Sequence, residues 1–435
     1  MSHATVKLWG STIGAVSLPR NTRYAGFQYA PEFAGSGVEV SPLTMPLSDR
    51  VYSFPELPEV TFHGLPGMLA DSLPDRYGHT LIDAWLAAQG QTPESFRAVE
   101  RLCYIGTRGM GALEFEPTLG PERSPSKKIE ISALVELASE ILTQRRRFRA
   151  RFKGNRKTTT LEDILRVGTS AGGARAKALI AWNEQTKEVR SGQVAAGQGF
   201  GYWVLKFDGV RGNKDKELED PQGYGAIEYA YALMAKAAGV NMSECRLLEE
   251  GGRRHFMSKR FDRQESGQKL HMQSLCALAH FDFNQAGAYS YEQAFLVIRR
   301  LELPMEAVEE QFRRMVFNIV ARNQDDHVKN IAFLMDRAGC WSLSPAFDLT
   351  YSYNPTGAWT ATHQMTMNGK QDGFTMADFR ACAKAALMKR GRADVIFEQV
   401  RAAVAAWPKY AAEARIEDRA VLQIQRTHRL ELRRT

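Results

Sequence analysis

An apolar stripe at helical spacing, followed directly by a polar loop, marks the second half of this sequence. The stripe consists of Val308, Phe312, Met315, Val316, Ile319 and Val320. Its 3.6-residue period predicts a long helix with one buried face. The polar run Asn323-Gln324-Asp325-Asp326-His327-Val328-Lys329-Asn330 follows, and a candidate hairpin occupies residues 331–343. The segment therefore predicts a rigid helix that presents a polar loop, with a hairpin behind it.

Three residues of this segment have the order that phosphoryl transfer requires. Asp325 and Asn330 are five residues apart, and Asp348 follows the hairpin. A phosphoryl transferase needs one carboxylate to accept the proton of the attacking hydroxyl, and an amide and a second carboxylate to hold Mg²⁺. The spacing to Asn330 favours Asp325 over its neighbour Asp326 as the base. The alternative is that these polar side chains only cap the helix and satisfy backbone groups.

A lysine and a glutamate upstream extend this pattern. Lys206 lies on a predicted strand, on the face opposite Trp203, Leu205 and Phe207, and Glu228 lies on the next predicted helix. The alternative is that Lys206 is an ordinary surface lysine on a strand and has no functional role. The candidate functional residues follow one another in the order Lys206, Glu228, Asp325, Asn330 and Asp348. This is the order of the corresponding functions in protein kinases.

Glycine-rich and basic segments precede the lysine. Small residues from Gly168 to Ala174 would let backbone N–H groups approach phosphate, and Arg175 and Lys177 add positive charge. An ordinary flexible turn is the alternative, and a second glycine-rich segment, Gly106–Gly111, is interpreted as structural.

Residues 145–157 carry eight basic side chains and no acid, and this excess equals the net charge of +8. They indicate either contact with nucleic acid or an acidic protein, or a solvated connection.

Composition and cysteine usage indicate an ordinary globular protein of the cytoplasm. With 435 residues, two or three domains or lobes are expected. No uncharged apolar run approaches the roughly 20 residues that cross a bilayer, and residues 1–18 do not resemble a secretory signal. The five cysteines are widely spread without a CxxC pair, which predicts buried thiols in a reducing compartment.

Taken together, the motifs resemble those of the HipA family of bacterial serine/threonine kinase toxins, over most of the chain. The matching segments are Tyr29-Ala30-Pro31-Glu32, Leu73-Pro74-Asp75, Gly106 with Gly111-Ala112, Ser170 with Gly172-Gly173-Ala174 and Lys177, Lys206, Arg260-Phe261-Asp262-Arg263, Asp325-x-His327-x-x-Asn330, and Pro345 with Asp348. Each of these segments is common by itself, and the combination is specific.

The resemblance implies an α+β protein with a kinase-like, two-lobed core. Residues 1–120 would form a β-rich N-terminal subdomain. Independently of the resemblance, apolar and polar residues alternate around Gly10 and Gly14 and predict a hairpin over residues 4–18 at its start. Residues 121–160 would contain a linker, a helix and the basic segment. Residues 161–265 would form the nucleotide-binding lobe, and residues 266–435 an all-helical C-terminal lobe with the catalytic and metal-binding loops.

The resemblance also assigns roles to individual residues. Asp325 would be the catalytic base, Asn330 and Asp348 would hold Mg²⁺, and Ser170 would be autophosphorylated, with adjacent Thr169 as a second possible position. The residues expected to contact ATP are Gly172, Gly173, Ala174, Arg175, Lys177, Lys206, Glu228, Lys259, Arg260, Phe261, His327 and Asn330. In this family, phosphorylation of the loop serine ejects the loop and switches the kinase off.

The function implied is an ATP- and Mg²⁺-dependent protein kinase that is the toxin of a toxin–antitoxin pair. Its partners would be a small helix-turn-helix antitoxin resembling HipB, operator DNA bound through the antitoxin complex, and an aminoacyl-tRNA synthetase as substrate; no membrane contact is expected. Two alternatives remain open at this point. One is a small-molecule kinase, and the other is a catalytically silent co-repressor that binds DNA.

Overall fold

A computed structural model of the protein describes residues 2–120, 128–143, 164, 168, 175–193, 196–211, 214–215, 218–219, 222–264 and 267–432. Three predicted features lie outside these residues. They are the basic segment 145–157, the phosphorylation candidates Thr169 and Ser170, and the glycine-rich residues 172–174.

The N-terminal region is built on a five-stranded antiparallel sheet with the strand order β4-β3-β2-β1-β5. The strands are β1 Ser2–Leu8, β2 Ser11–Leu18, β3 Gly26–Tyr29, β4 Val51–Tyr52 and β5 Leu113–Glu116. In β1, Ala4, Val6 and Leu8 are buried, so its alternating pattern places one face on the core. The predicted hairpin is confirmed, and its turn contains Gly10, whose φ of 88° suits glycine.

Helices connect the strands of this region and reach towards the second sheet. They are α1 Pro31–Ala34, α2 Glu59–Phe62, α3 Gly67–Ala70, α4 Arg76–Ala88 and α5 Ala98–Ile105, with a 3₁₀ turn at Pro93–Ser95. Helix α4 begins at Asp75, whose side chain accepts a 2.6 Å hydrogen bond from the backbone N–H of Gly78. Tyr77 and Leu81 of α4 are buried in one cluster with Ala178 of the second sheet.

A second five-stranded antiparallel sheet has the order β11-β12-β8-β6-β7. The strands of the middle region are β6 Lys177–Trp182, β7 Val189–Ser191, β8 Gly201–Lys206, β9 Lys214–Asp215, β10 Leu218–Glu219, β11 Cys245–Glu250 and β12 Arg253–Lys259; β9 and β10 pair only with each other. Helix α6, Ile131–Thr143, packs with α4 on one face of the sheet. Helix α7, Tyr224–Ala237, lies on the side that Lys206 faces.

The C-terminal region is mainly helical. Its helices are α8 Leu275–Ala279, α9 Tyr291–Arg300, α10 Met305–Val320, α11 Met376–Ala385, α12 Arg392–Ala405, α13 Trp407–Glu413 and α14 Asp418–Gln425. The apolar stripe of α10 is buried, as its periodicity predicts. The region also contains a three-stranded antiparallel sheet, so it is not entirely helical. The strands are β13 His271–Ser274, β14 Ala332–Met335 and β15 Trp341–Leu343.

A buried ion network joins the end of the second sheet to the N-terminal region. The Asp262 carboxylate pairs with Arg260 and Arg263 and accepts a 2.8 Å hydrogen bond from the N–H of Gly111. Burial alone would raise the pKa of Asp262, but the two arginines outweigh it and hold the pKa below its usual range. Arg263 also donates to the carbonyls of Gly111 and Gly109, at 3.1 and 3.0 Å. The segment Gly106–Gly111 therefore forms a structural junction, in agreement with its interpretation from sequence.

The cysteine prediction holds for four of the five thiols. Cys103, Cys245, Cys276 and Cys382 are buried and unbridged. Cys340 is exposed, because it lies in the turn between β14 and β15, where its N–H donates to the Asp336 side chain.

Among the described helices, none has the length and apolar character needed to span a bilayer.

Candidate functional site

Lys206, the last residue of β8, meets two carboxyl groups where the second sheet faces the C-terminal region. Its Nζ lies 2.5 Å from Glu228 Oε1 and also donates to Asp348 Oδ1. Trp203 and Leu205 point into the core, whereas the Lys206 side chain is 17% exposed. The predicted alternation of β8 is confirmed, and three residues that are far apart in sequence form one charged cluster.

Opposing effects set the ionisation of this cluster. Burial lowers the pKa of Lys206, but Asp348 and Glu228 outweigh it and hold the pKa above its ordinary value. Burial raises the pKa of Asp348, but Lys206 and, more weakly, Lys177 bring it down to about 2. For Glu228, burial dominates and raises the pKa, although Lys206 opposes the effect. Lys206 and Asp348 are therefore both charged at neutral pH.

Asp325 lies in the loop after α10 and is held on several sides. Its Oδ1 accepts a 2.6 Å hydrogen bond from the indole N–H of Trp359. Its carbonyl accepts one of 3.0 Å from the side chain of Asn330, which ends the 3₁₀ turn Val328–Asn330. His327 Nε2 lies 3.9 Å from the same Oδ1, and the Asp325 side chain is 21% exposed. The carboxylate is thus fixed and still accessible to solvent.

Asp326 has a different environment from its neighbour. It is buried, and its Oδ2 accepts hydrogen bonds from Tyr291 at 2.6 Å and from His363 Nδ1 at 2.8 Å. Its Oδ1 accepts a 2.8 Å bond from the backbone N–H of Gln364. Burial would raise the pKa of Asp326, but His363 and these donors lower it below the usual value. Asp326 therefore anchors the loop, which leaves Asp325 as the accessible carboxylate of the pair.

Buried amides connect this loop to Asp348. Asn323 donates to Asn318 Oδ1 at 2.9 Å and to the carbonyl of Asp348 at 3.4 Å. Asp348 itself has a φ of 52°, a left-handed conformation that aspartate tolerates better than most residues. The loop and the residue after the hairpin are thereby held together through one buried side chain.

The residues expected to contact adenine lie at the end of β12. Lys259 is its last residue; its side chain is 39% exposed, and its Nζ lies 3.8 Å from Glu244 Oε2. The Arg260 side chain is buried against Asp262, and its backbone N–H donates to the carbonyl of Tyr202 at 2.9 Å. The ring of Phe261 lies 5.6 Å from that of Phe347, which immediately precedes Asp348.

Lys177 and Arg175 lie at the beginning of β6. Lys177 is buried, is paired with Lys206 across the β6–β8 ladder, and has its Nζ 3.2 Å from Asp75 Oδ2. The guanidinium of Arg175 lies 3.7 Å above the ring of Tyr224. Both cations therefore lie on the side of the sheet that carries the Lys206 cluster, and one of them touches the N-terminal region.

The buried pair of Asp75 and Lys177 predicts a stability effect across the two regions. Asp75→Asn keeps a good helix cap but removes the carboxylate from beside a buried ammonium, so we expect the free energy of unfolding to fall by about 3 kcal/mol. Asp83→Asn, on the same helix, removes a carboxylate that pairs with Arg101 at 2.7 Å and is 40% exposed. That control should change stability by less than about 1 kcal/mol.

Urea denaturation of both variants measures the difference. Equal effects of the two substitutions would contradict a structural role for the buried pair.

The donor set at this site suits Mg²⁺ that arrives with a phosphate ligand. Among the described residues, no group of three or more His, Cys, Asp or Glu side chains could hold a metal ion by itself. Asp348 offers an ionised carboxylate, and Asn330 offers an amide oxygen near Asp325. Mg²⁺ is commonly held by one or two protein oxygens together with substrate phosphates, so these residues fit the ion.

Sequence reasoning missed several residues that shape the site. Trp359, Tyr291 and His363 contact the two aspartates of the loop. None of them stands in a recognisable motif, and each is brought to the loop only by the tertiary fold. Asp75 was noted as part of Leu73-Pro74-Asp75, but its ion pair with Lys177 had no sequence signal.

Comparisons with known protein families match both parts of the chain. A family model described as the HipA N-terminal domain matches residues 4–116, and one described as the HipA-like C-terminal domain matches residues 169–407. No curated protein sequence matches the chain significantly.

Solved structures provide a comparison of the fold. HipA of the toxin–antitoxin system of Shewanella oneidensis MR-1, in a complex with HipB and its operator DNA, has a TM-score of 0.66 and 17% identity. The alignment covers 97% of this chain and 95% of that chain, and it shows a shared fold. The Helicobacter pylori proinflammatory kinase CtkA covers 52% of this chain and 92% of its own, with 11% identity and a TM-score of 0.33, which is too low to establish similarity.

Proposed function

This chain belongs to the HipA family, and from that premise we propose that it is an ATP- and Mg²⁺-dependent serine/threonine protein kinase, the toxin of a toxin–antitoxin pair. The observation that carries the proposal is the convergence of Lys206, Glu228 and Asp348 beside the loop that holds Asp325. A phosphate-binding cation, its carboxylate partner, a metal carboxylate and a base are the parts that a kinase requires.

Each side chain then has a role that its environment supports. Asp325 accepts the proton of the substrate hydroxyl as the hydroxyl oxygen bonds to the γ-phosphorus and the bond to the β-phosphate oxygen breaks. Lys206 binds phosphate oxygens, and Glu228 orients Lys206. Asn330 and Asp348 would hold Mg²⁺, which when bound neutralises phosphate charge.

The remaining predicted contacts surround this centre. Lys177 and Arg175 would add positive charge beside the phosphates, together with the loop residues Gly172, Gly173 and Ala174. The backbone from Lys259 to Phe261 would contact adenine, and His327 would contact the nucleotide from the loop of Asp325.

Transfer of label from γ-³²P-ATP tests this function without knowledge of the substrate. With Mg²⁺, the purified protein should label itself or a protein of a cell extract. Consumption of ATP with a metabolite and without labelled protein would favour a small-molecule kinase. Absence of any ATP turnover would favour the silent co-repressor, against which the presence of Asp325, Asn330, Asp348 and Lys206 argues.

The substrate and the partners are proposed on family resemblance. We propose an aminoacyl-tRNA synthetase as the phosphorylated protein, whose inactivation would arrest translation. A small helix-turn-helix antitoxin would bind the kinase and bring it to operator DNA, as the solved Shewanella complex contains HipA, HipB and operator DNA. A neighbouring reading frame for such a small protein would support the pair, and its absence would weaken the toxin role without affecting the kinase role.

Self-inactivation at Ser170 is expected if the glycine-rich loop covers the ATP phosphates. A phosphate on Ser170 adds roughly −1.5 to −2 charges at pH 7 and would repel bound ATP, so the loop should leave the site. Mass spectrometry after incubation with ATP and Mg²⁺ should detect phosphate at Ser170, with Thr169 as the lesser position. Ser170→Ala should stay active over the same incubation; loss of activity at the wild-type pace would exclude this loop as the off-switch.

A further inference from the structure

The indole of Trp359 lies directly on the proposed base, eleven residues after Asp348 in sequence. Its Nε1 donates to Asp325 Oδ1 at 2.6 Å. An indole N–H can donate a hydrogen bond and cannot accept one. It therefore stabilises the ionised carboxylate, which is the form that accepts a proton.

The backbone around Trp359 is tied to the residue that precedes Asp325. The side-chain amide of Gln364 donates to the carbonyl of Trp359 and, at 3.2 Å, to the carbonyl of Gln324. The side chain of Gln324 in turn donates to the carbonyl of Thr360, at 3.3 Å. The indole and the carboxylate are thus parts of one hydrogen-bonded unit, so their relative position is set by the fold.

We propose that Trp359 is a positioning residue for phosphoryl transfer: its N–H fixes one oxygen of the Asp325 carboxylate and thereby orients the carboxylate towards the substrate hydroxyl. This inference rests on the proposed kinase function, because it takes Asp325 as the base. Proton transfer depends on the orientation of the acceptor, and small displacements of catalytic groups are costly in rate.

Other ionisable groups near Asp325 are accounted for by their own contacts. His327 Nε2 lies 3.9 Å from Asp325 Oδ1. Asp326 is turned towards Tyr291 and His363, and Asp348 is paired with Lys206. Substitution of Trp359 leaves all of these groups in place, so a lower kcat with an unchanged Kd for ATP reports on the position of the Asp325 carboxylate.

Trp359→Phe keeps an aromatic ring and removes only the donor. We expect its kcat to fall about tenfold, with the Kd for ATP unchanged. The matched control is Trp341→Phe, which removes a 3.1 Å indole hydrogen bond to the carbonyl of Glu39, outside the site. Its kcat and its Kd for ATP should equal those of the wild type.

Steady-state kinetics and ATP titration on the full chain, with thermal unfolding of each variant, separate the outcomes. A wild type without ATP-dependent transfer would overturn the proposed function, and this inference with it. If the wild type is active and the two variants Trp359→Phe and Trp341→Phe have the same kcat, the positioning role alone is overturned. A Trp359→Phe protein faster than the wild type would also overturn it, and would indicate that the indole obstructs the base. If Trp359→Phe unfolds early, a Trp359→His variant, which keeps a ring N–H, should recover part of the rate.

Discussion

Asp325→Asn should transfer phosphate about 10² to 10⁴ times more slowly than the wild type while folding normally. The amide keeps the shape of the side chain, and its oxygen can still accept the indole N–H that lies 2.6 Å from the carboxylate. It has no negative oxygen to take the hydroxyl proton. The initial rate of label transfer to protein measures the loss, and calorimetry should find ATP binding retained.

Asp326→Asn is the matched comparison, because it makes the same change one residue later. Asp326 is buried and accepts three hydrogen bonds, from Tyr291, His363 and Gln364. We expect this variant to lose about 3 kcal/mol of unfolding free energy, since it leaves buried donors without their acceptor. The rate per folded molecule should change much less than in Asp325→Asn. The reverse result, with Asp326→Asn stable and inactive, would assign the base to Asp326.

Much of the fold could be predicted because its elements carry their own periodicity. The hairpin over residues 4–18 and the buried stripe from Val308 to Val320 follow the predicted periodicity. Strand β13 could not be predicted, because His271–Ser274 contains no β-branched or aromatic residue. It forms only because β14 offers it a paired edge.

The site was predictable where chemistry depends on residue order. The spacing of Asp325 and Asn330, and the position of Asp348 after a hairpin, follow from local structure. The different environments of Asp325 and Asp326 do not follow from local structure. The hydrogen-bond donors to Asp326 come from α9 and from the segment after Asp348. The pairing of Lys177 with Asp75 was equally hidden, since about a hundred residues separate the two side chains in sequence.

Lys206→Met and Asp348→Asn should weaken nucleotide binding in different ways. Lys206→Met removes the proposed phosphate-binding cation and leaves Glu228 and Asp348 without the ammonium between them. We expect its Kd for ATP to rise about 10- to 100-fold both with Mg²⁺ and with the metal chelated. Asp348→Asn removes the proposed metal carboxylate and one negative charge, so its affinity for ATP without Mg²⁺ should be equal to or higher than that of the wild type.

The distinguishing quantity is therefore the gain in ATP affinity that Mg²⁺ produces, measured by calorimetric titration in the presence and absence of the ion. Asp348→Asn should lose most of this gain, because the carboxylate it removes is ionised above pH of about 2 and is available to a cation. Lys370→Met is the control, since its Nζ pairs with Asp378 at 2.8 Å outside the site, and its titration should match the wild type. If Lys206→Met and Asp348→Asn both bind ATP·Mg²⁺ with wild-type affinity, the nucleotide lies elsewhere, and the charged cluster at Lys206 is only a structural ion pair.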